Sequence, residues 1–196
     1  MRRCNPSWFG DLPHGGVAVC DLCAFPLFRY AKTIMKITVQ SATSVTTHAQ
    51  NLAATQSLAQ ELAAIADKGD VIALRGDLGM GKSAFARAFI QARAGVPIEV
   101  PSPTFTLVQS YELPSGLITH FDLYRLRDAS DAYELGLDDA FGGIILIEWP
   151  ERLGDGLPRD PLVISFVPGA TADARTITLE GGASWAGRLE FLKLKF

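Results

Sequence analysis

The segment "GDLGMGKS", Gly76 to Ser83, constrains the fold of this 196-residue chain more than any other. It follows the short apolar run "DVIALRG" and precedes the helix-forming run "KSAFARAFIQARAG", which Gly95 ends. The spacing Gly76-x4-Gly81-Lys82-Ser83, placed between a predicted strand and a predicted helix, is the pattern of a phosphate-binding loop. The glycines let backbone amides converge on phosphate oxygens, and the helix presents its positive end to the same anion. The nearly continuous apolar run before the loop predicts a strand covered on both faces, as in a parallel sheet.

The loop and two acids further along the chain predict a nucleotide site with a metal ion. Lys82 is placed to reach the β- and γ-phosphates, and the Ser83 hydroxyl to bind Mg²⁺. Such a loop also needs an acid at the end of a neighbouring strand, to hold the ion or to order a water. Glu148 ends the run "IILI" and Asp122 ends "LITHFD". Each could also be a solvated carboxylate at a strand end. The presence of two such acids after the loop, on separate predicted strands, favours a functional pair.

Several polar and aromatic residues are weaker candidates for the nucleotide site. Ser102 and Thr104 in "SPTFTL" follow the lysine at a place where nucleotide switches often carry a hydroxyl. A Ser-Pro turn that opens a strand explains the same residues equally well. We expect His120 to be a packing or hydrogen-bonding residue at a strand end rather than a catalytic base. Trp149 is either an exposed stacking surface or a core aromatic.

The rest of the pattern predicts alternating strands and helices. A first strand is expected at "MKITVQ", and an apolar stripe predicts a helix from Thr47 to Lys68, ended by Gly69. The expected later elements are strands in "TFTLVQSYEL", "LITHFDLYRL", "GGIILIEWP", "LVISFV" and "RTITLEG", a short helix in "DASDAYELGL", and a final helix with Trp185, Leu189, Leu192 and Phe196 on one face.

Composition narrows the class of protein. The net charge of −3 and the pI near 5.6 give no general attraction for nucleic acid or anionic lipid, so any RNA would be held by a partner. No apolar run approaches the ~20 residues that cross a membrane, so we expect a soluble protein. The cysteines all lie in the first 23 residues, which leaves the domain without a disulfide and suits the cytoplasm.

The first 34 residues are set apart from the remainder of the chain. They show no sustained helical or strand period, and a signal peptide fits them poorly. We expect residues 1–34 to be a disordered leader or a mis-assigned start, and residues 35–196 to form the domain. A zinc site is a less favoured alternative to chance cysteines, with Cys4, His14, Cys20 and Cys23 as its ligands.

Missing motifs argue against two classes of nucleotide-binding protein. GTPases read guanine with an Asn/Thr-Lys-x-Asp strand after the loop, and the near match that starts at Asp67 lies before it. Small-molecule kinases usually carry an arginine-rich lid, whereas Arg125, Arg127 and Arg152 are scattered. Adenine is therefore the favoured base, and hydrolysis is favoured over transfer to a metabolite.

Four motifs together, "GDLGMGKS", "SPTFTLVQSY", "HFDLYRL" and "IEWPERL", resemble the TsaE (YjeE) family of bacterial P-loop ATPases over roughly residues 36–170. That family takes part in the threonylcarbamoyl modification of adenosine 37 in tRNAs that read codons beginning with A. The resemblance implies an α/β fold, a P-loop NTPase-like three-layer sandwich with a mainly parallel central sheet flanked by helices.

The resemblance also implies a site for ATP and Mg²⁺. Ser83 and Glu148 would hold the metal, and Asp122 is the family's other essential acid, so Lys82, Asp122 and Glu148 are the expected catalytic residues. The residues expected to contact the nucleotide are Asp77, Leu78, Gly79, Met80, Gly81, Lys82, Ser83, Thr104 and Trp149. Met80 replaces the family's usual small residue and is expected to add bulk over the phosphates. Ser83 replaces the usual threonine and supplies the same hydroxyl.

The resemblance finally implies protein partners. Members of the family bind the complex of TsaD and TsaB, and their slow ATP hydrolysis is thought to reset that complex between cycles. The tRNA would then be contacted only indirectly, which fits the acidic charge. Two other functions stay open: a binding module in which ATP only orders an interface, and, less favoured because the lid is missing, a small-molecule kinase.

Overall fold

The computed structural model describes residues 37–41, 43–158 and 160–193, with side chains from residue 43 onward. The expected leader, residues 1–34, and its candidate zinc ligands lie outside these ranges. The strands are β1 (Ile37–Ser41), β2 (Ser44–Ala49), β3 (Val71–Arg75), β4 (Val108–Leu113), β5 (Gly116–Asp122), β6 (Ile144–Glu148), β7 (Leu162–Pro168) and β8 (Arg175–Glu180). The helices are α1 (Leu52–Ile65), α2 (Lys82–Ala94), α3 (Asp131–Glu134) and α4 (Ala183–Lys193), and 3-10 helices span Asp139–Gly142 and Pro150–Gly156.

The strands form one sheet in the order β1-β2-β8-β7-β3-β6-β5-β4. Its centre, β7-β3-β6-β5, is parallel, and this part carries the phosphate-binding loop after β3. Strand β4 is antiparallel to β5, and β8, β2 and β1 continue the sheet in antiparallel fashion beyond β7. The expected α/β class is confirmed, with the parallel strands at the centre.

Both faces of the central strands are buried, which explains their continuous apolar sequences. Alternate residues of β6 serve the two faces: Ile144 and Leu146 join the core with α1, α2 and α4, and Ile145 and Ile147 join a second core. That second core is closed by α3, the 3-10 helices and their connections. Helices on both faces of a sheet give the three layers that the resemblance implies.

The helix expected from Thr47 to Lys68 is shorter at both ends. Strand β2 occupies the beginning of that range, because its β-branched residues alternate between buried and half-buried positions and pair with β8. Helix α1 starts after Asn51, whose side chain accepts a hydrogen bond from the amide of Ala54 at 3.0 Å. It ends before Ala66, where the backbone becomes extended, and so Gly69 does not terminate it.

The buried face expected for α4 is confirmed for Trp185, Leu189 and Leu192, and Phe196 lies outside the described residues. Arg188 fixes the helix to the domain. Its guanidinium donates to both carboxylate oxygens of Asp70 and lies 3.7 Å from the centroid of the Trp185 ring. Among the helices of the described ranges, none is both long enough and apolar enough to span a membrane.

Candidate functional site

The loop between β3 and α2 has the backbone that its glycines predict. Gly76, Gly79 and Gly81 have φ values of +139°, +80° and +101°, which other residues rarely adopt. Gly76 also lies against β7, where an added Cβ would be 2.6 Å from the carbonyl oxygen of Phe166. Gly81 immediately precedes α2, so the positive end of that helix lies at the loop. The loop is therefore shaped to bind an anion.

A cavity of about 220 Å³ opens beside this loop. Its lining residues are Leu78, Gly79, Gly81, Lys82, Ser83, Ala84, Thr104, Asp122, Tyr124, Glu148 and Trp149. Most of the residues expected at the site are thus brought together here. Two of them, Asp77 and Met80, are not part of this lining. Tyr124 lines the cavity, although the sequence motifs did not indicate it as a site residue.

Lys82 is buried at the floor of the loop. Its ammonium donates to the carbonyl oxygens of Gly76 at 2.6 Å and Asp77 at 3.0 Å, and lies 3.8 Å from the centroid of the Trp149 ring. Burial lowers the pKa of Lys82, and the nearby carboxylates, Glu148 foremost, oppose this shift. The charge is therefore held in place by backbone and ring contacts.

The two expected acids occupy paired positions on adjacent strands. Asp122 on β5 and Glu148 on β6 are register partners, and both are buried. Glu148 accepts a hydrogen bond from the Ser83 hydroxyl at Oε2, at 3.0 Å. Its other oxygen, Oε1, is 3.0 Å from Nε2 of His120. The loop serine and the strand-end acid are thus in direct contact, although 65 positions separate them in the sequence.

Asp122 is linked to the "SPTFTL" segment. Its Oδ2 accepts a hydrogen bond from the Thr104 hydroxyl at 2.9 Å, and its Oδ1 accepts one from the amide of Tyr124 at 3.1 Å. The strand expected to begin at Thr104 begins only at Val108. A turn precedes it, closed by the amide of Leu107 on the carbonyl oxygen of Pro103 at 2.7 Å. That turn places the Thr104 hydroxyl at the cavity.

Ser83 and Glu148 fit a magnesium ion. Mg²⁺ prefers oxygen ligands in an octahedron at about 2.0–2.1 Å, which places neighbouring ligand oxygens about 2.9 Å apart. The Ser83 hydroxyl and Oε2 of Glu148 are 3.0 Å apart. Within the described ranges no cluster of three histidine, cysteine or acidic side chains is arranged to hold a metal. Two protein oxygens suit an ion that takes its remaining ligands from phosphates and water.

Trp149 forms an aromatic wall of the cavity. Its backbone is left-handed, at φ +60° and ψ +50°, a conformation that costs a bulky residue about 1–3 kcal/mol. The ring is half-buried, and its centroid lies 4.9 Å from that of Tyr124. The strained turn directs the indole towards Lys82 immediately after the acid that ends β6.

A second cavity, of about 370 Å³, shares Gly79 and Gly81 with the first. Its remaining lining residues are Asn51, Leu52, Thr55, Met80, Asp173 and Arg175. The guanidinium of Arg175 donates to the carbonyl oxygen of Met80 at 3.3 Å. Apart from Met80, the motifs did not indicate these residues, because they lie at the start of α1 and around the β7–β8 connection and carry no local pattern.

Met80 lies at the second cavity. Its half-buried side chain packs against the core that contains α1 and α2, and it lines the second cavity rather than the first. The expected bulk of Met80 over the phosphates stays a prediction.

Comparisons with known proteins agree with the motifs. The family model described as "Threonylcarbamoyl adenosine biosynthesis protein TsaE" matches residues 49–177. The "tRNA threonylcarbamoyladenosine biosynthesis protein TsaE" of Rickettsia felis is 43% identical over 140 residues, which are 71% of this chain and 81% of that protein. The protein of the same name from Bacillus subtilis is 39% identical over 126 residues, 63% of this chain and 77% of its own length.

A solved structure is similar as well. The crystal structure of YdiB from Bacillus subtilis superposes with a TM-score of 0.64 at 29% sequence identity. The match covers 83% of this chain and 97% of that one. The family match, the curated relatives and the shared fold lead to one conclusion: the chain belongs to the TsaE family of threonylcarbamoyl adenosine biosynthesis proteins.

Proposed function

We propose that the protein binds ATP with Mg²⁺ in the first cavity and hydrolyses it in support of the threonylcarbamoyl modification of adenosine 37 in tRNA. One observation carries the proposal: the loop's Lys82 and Ser83 lie in one cavity with two buried acids from adjacent strands. A phosphate-binding loop alone supports binding. The acids add the groups that hold a metal ion and order a water.

Each residue has a distinct role in this proposal. Lys82 neutralises the β- and γ-phosphates, exchanging its contacts with two loop carbonyls for phosphate oxygens. Ser83 and Glu148 hold Mg²⁺ through the two oxygens that already face each other. The bound ion supplies charge stabilisation on the transferring phosphoryl group. Trp149 keeps the lysine ammonium at the floor of the cavity.

Asp122 is the group we assign to the attacking water. As a carboxylate it only accepts hydrogen bonds, and its oxygens are oriented by the Thr104 hydroxyl and the amide of Tyr124. It orders a water in the cavity and takes up its proton. Thr104 lies on a turn, so its bond to Asp122 is suited to respond to the γ-phosphate. The nucleoside would extend into the second cavity, which shares the loop glycines.

The protein partners we propose are TsaD and TsaB, with tRNA contacted only through them and the reaction taking place in the cytoplasm. Exposed apolar side chains next to the site support a protein partner. Leu78 is 73% exposed and Phe105 is 80% exposed, and the guanidinium of Arg125 lies 4.6 Å from the centroid of the Phe105 ring. Leu78 lines the first cavity and Phe105 follows Thr104 directly, so a partner that contacts them would lie beside the bound nucleotide.

Three substitutions test the site assignment in a reconstituted system with TsaD, TsaB, tRNA and ATP. Lys82→Ala is expected to abolish nucleotide binding, measured by calorimetry. Glu148→Ala and Asp122→Ala are expected to keep much of the binding and to stop phosphate release. If both acid variants hydrolyse ATP at the full rate, the assignment is refuted.

A second candidate function is a nucleotide-gated binding module in which hydrolysis is incidental. The link from Asp122 through Thr104 to the exposed Phe105 favours it, because occupancy of the cavity would then alter an exposed surface. A non-hydrolysable ATP analogue that sustains tRNA modification over many turnovers would support the module. The remaining alternative, a small-molecule kinase, requires phosphate transfer without partners. A pull-down with TsaD and TsaB, with and without ATP, separates it from the other two.

A further inference from the structure

We propose that His120 is a positioning residue: its Nε2–H fixes the Glu148 carboxylate so that the other oxygen stays directed at Ser83. The inference rests on the proposed Mg²⁺-nucleotide function of that oxygen pair. It assigns to His120 a role in how strongly Mg²⁺ enhances nucleotide binding. His120 itself does not touch the metal or the nucleotide in this proposal.

The geometry of the histidine supports this role. His120 and Glu148 are 1% and 2% exposed, and the Nε2–Oε1 distance is 3.0 Å. On β5, residues two apart share a face, so His120 lies on the same face as Asp122. In the parallel register His120 pairs with Leu146, two residues before Glu148. The imidazole and the carboxylate therefore meet across an offset of two residues between the strands.

The other ring nitrogen shows that packing alone does not account for a histidine here. Nδ1 is buried and has no hydrogen-bond partner in the described part of the chain. Leaving a buried polar atom unpaired costs about 1–3 kcal/mol, and an apolar side chain would avoid this cost. Two strand neighbours on this face are apolar: Ile118, two residues earlier on β5, and Leu146, opposite on β6. Among the residues that the structure describes, Glu148 is the hydrogen-bond partner of the His120 side chain.

The consequence for Glu148 is a single fixed orientation. With Oε1 bound by His120, a rotation of the carboxylate would break that bond and would also take Oε2 away from the Ser83 hydroxyl. Groups that orient a metal-binding side chain typically contribute 10–100-fold to metal affinity. We therefore expect loss of the Nε2 donor to weaken Mg²⁺-dependent nucleotide binding by about 10–100-fold.

The experiment measures ADP affinity by calorimetry, once with Mg²⁺ and once with EDTA. His120→Phe keeps a ring and removes the donor, whereas His120→Gln keeps an amide nitrogen near the position of Nε2. We expect the phenylalanine variant to lose about 10–100-fold of affinity with Mg²⁺ and little with EDTA. The glutamine variant should retain most of the Mg²⁺ effect. His48→Phe is the matched control, because His48 bonds Thr176 on the β2–β8 side of the sheet and lines neither cavity.

A further variant keeps the test decisive if His120→Phe does not fold, as judged by thermal denaturation. His120→Asn is polar and shorter, so its amide does not reach Glu148, and it should lose the Mg²⁺ effect that His120→Gln keeps. The inference is overturned if the phenylalanine or asparagine variant binds Mg²⁺-ADP like the wild type. An equal loss with Mg²⁺ and with EDTA also overturns it, because that result indicates a structural role only. A wild-type protein that binds no nucleotide refutes the proposed function as well.

Discussion

Replacing Asp122 by asparagine separates the charge of this side chain from its hydrogen bonds. Asparagine keeps an oxygen that accepts from the amide of Tyr124. Its NH₂ group donates to the Thr104 hydroxyl, which remains bonded to Ser102 at 3.0 Å. Both contacts survive in neutral form. The substitution therefore removes the negative charge and the proton-accepting oxygen with little change in shape.

The contacts around Asp122 set the expected magnitudes. A charge-assisted hydrogen bond contributes about 1 kcal/mol more than a neutral one, and relief of the buried charge offsets part of that loss. The free energy of unfolding should fall by about 1 kcal/mol, which lowers Tm by roughly 2–4 °C in a domain of this size. Loss of a proton acceptor costs about 10²–10⁴ in turnover, or roughly 3–5 kcal/mol. Turnover should thus suffer far more than stability.

The assay is phosphate release in the presence of TsaD, TsaB and tRNA, with Tm and ADP affinity measured on the same preparations. Asp122→Asn should bind ADP within about threefold of the wild type, because its contacts are retained. Asp128→Asn is the control: Asp128 is an exposed acid that bonds Ser130 and lines neither cavity. Turnover of the Asp122→Asn protein within about fivefold of the wild type would refute the role of the charge.

Three further predictions concern the loop and the last helix. The lowered pKa of Lys82 means that, as pH rises towards the ordinary value of 10.5, the folded protein loses this proton before the unfolded chain does. The contribution of Lys82 to folding stability should rise with pH across that window, while nucleotide affinity falls and nucleotide binding takes up protons. Calorimetry in buffers of different ionisation enthalpy measures this proton uptake. Binding without proton uptake would contradict the prediction. Gly76→Ala should lower the free energy of unfolding by about 2–5 kcal/mol, because the added Cβ would lie 2.6 Å from the carbonyl oxygen of Phe166 on β7. Gly79→Ala should lower it by about 1 kcal/mol, because only the backbone conformation is strained there. Equal effects of the two substitutions in urea unfolding would contradict this interpretation of the loop. Arg188→Met leaves the Asp70 carboxylate without its bidentate partner and should lower stability by about 2 kcal/mol, or Tm by roughly 4–8 °C, with ADP affinity unchanged.

Local sequence patterns predicted the parts of the fold that local interactions determine. The loop, the strand before it and α2 follow from residue spacing and glycine placement within a short stretch. The start of α1 does not follow from spacing in this way. The helical pattern of leucines and alanines extends back towards Thr47, but the residues up to Ala49 pair with β8 and form strand β2. The residues around Thr47 give no indication of this pairing, because β8 lies more than 120 residues further along the chain.

In the candidate site, too, individual residues could be predicted from the sequence and their contacts could not. Asp122 and Glu148 could be predicted one by one as acids that end apolar strands. Their pairing, and the bond between Glu148 and His120, depend on the register of β5 against β6, which is fixed by packing on both faces of the sheet. The second cavity could not be predicted, because Arg175 reaches the loop from the start of β8, far from the loop in sequence.

The contacts of the Lys82 ammonium have a consequence for anion discrimination. Two backbone carbonyls already accept hydrogen bonds from the ammonium, so any anion that binds there must replace both bonds. A single inorganic phosphate or sulfate ion offers few oxygens and reaches only part of the loop. A polyphosphate replaces the same contacts and in addition engages amides along the whole loop. The lysine's own surroundings therefore favour long phosphate chains over the simple anions that are abundant in cells.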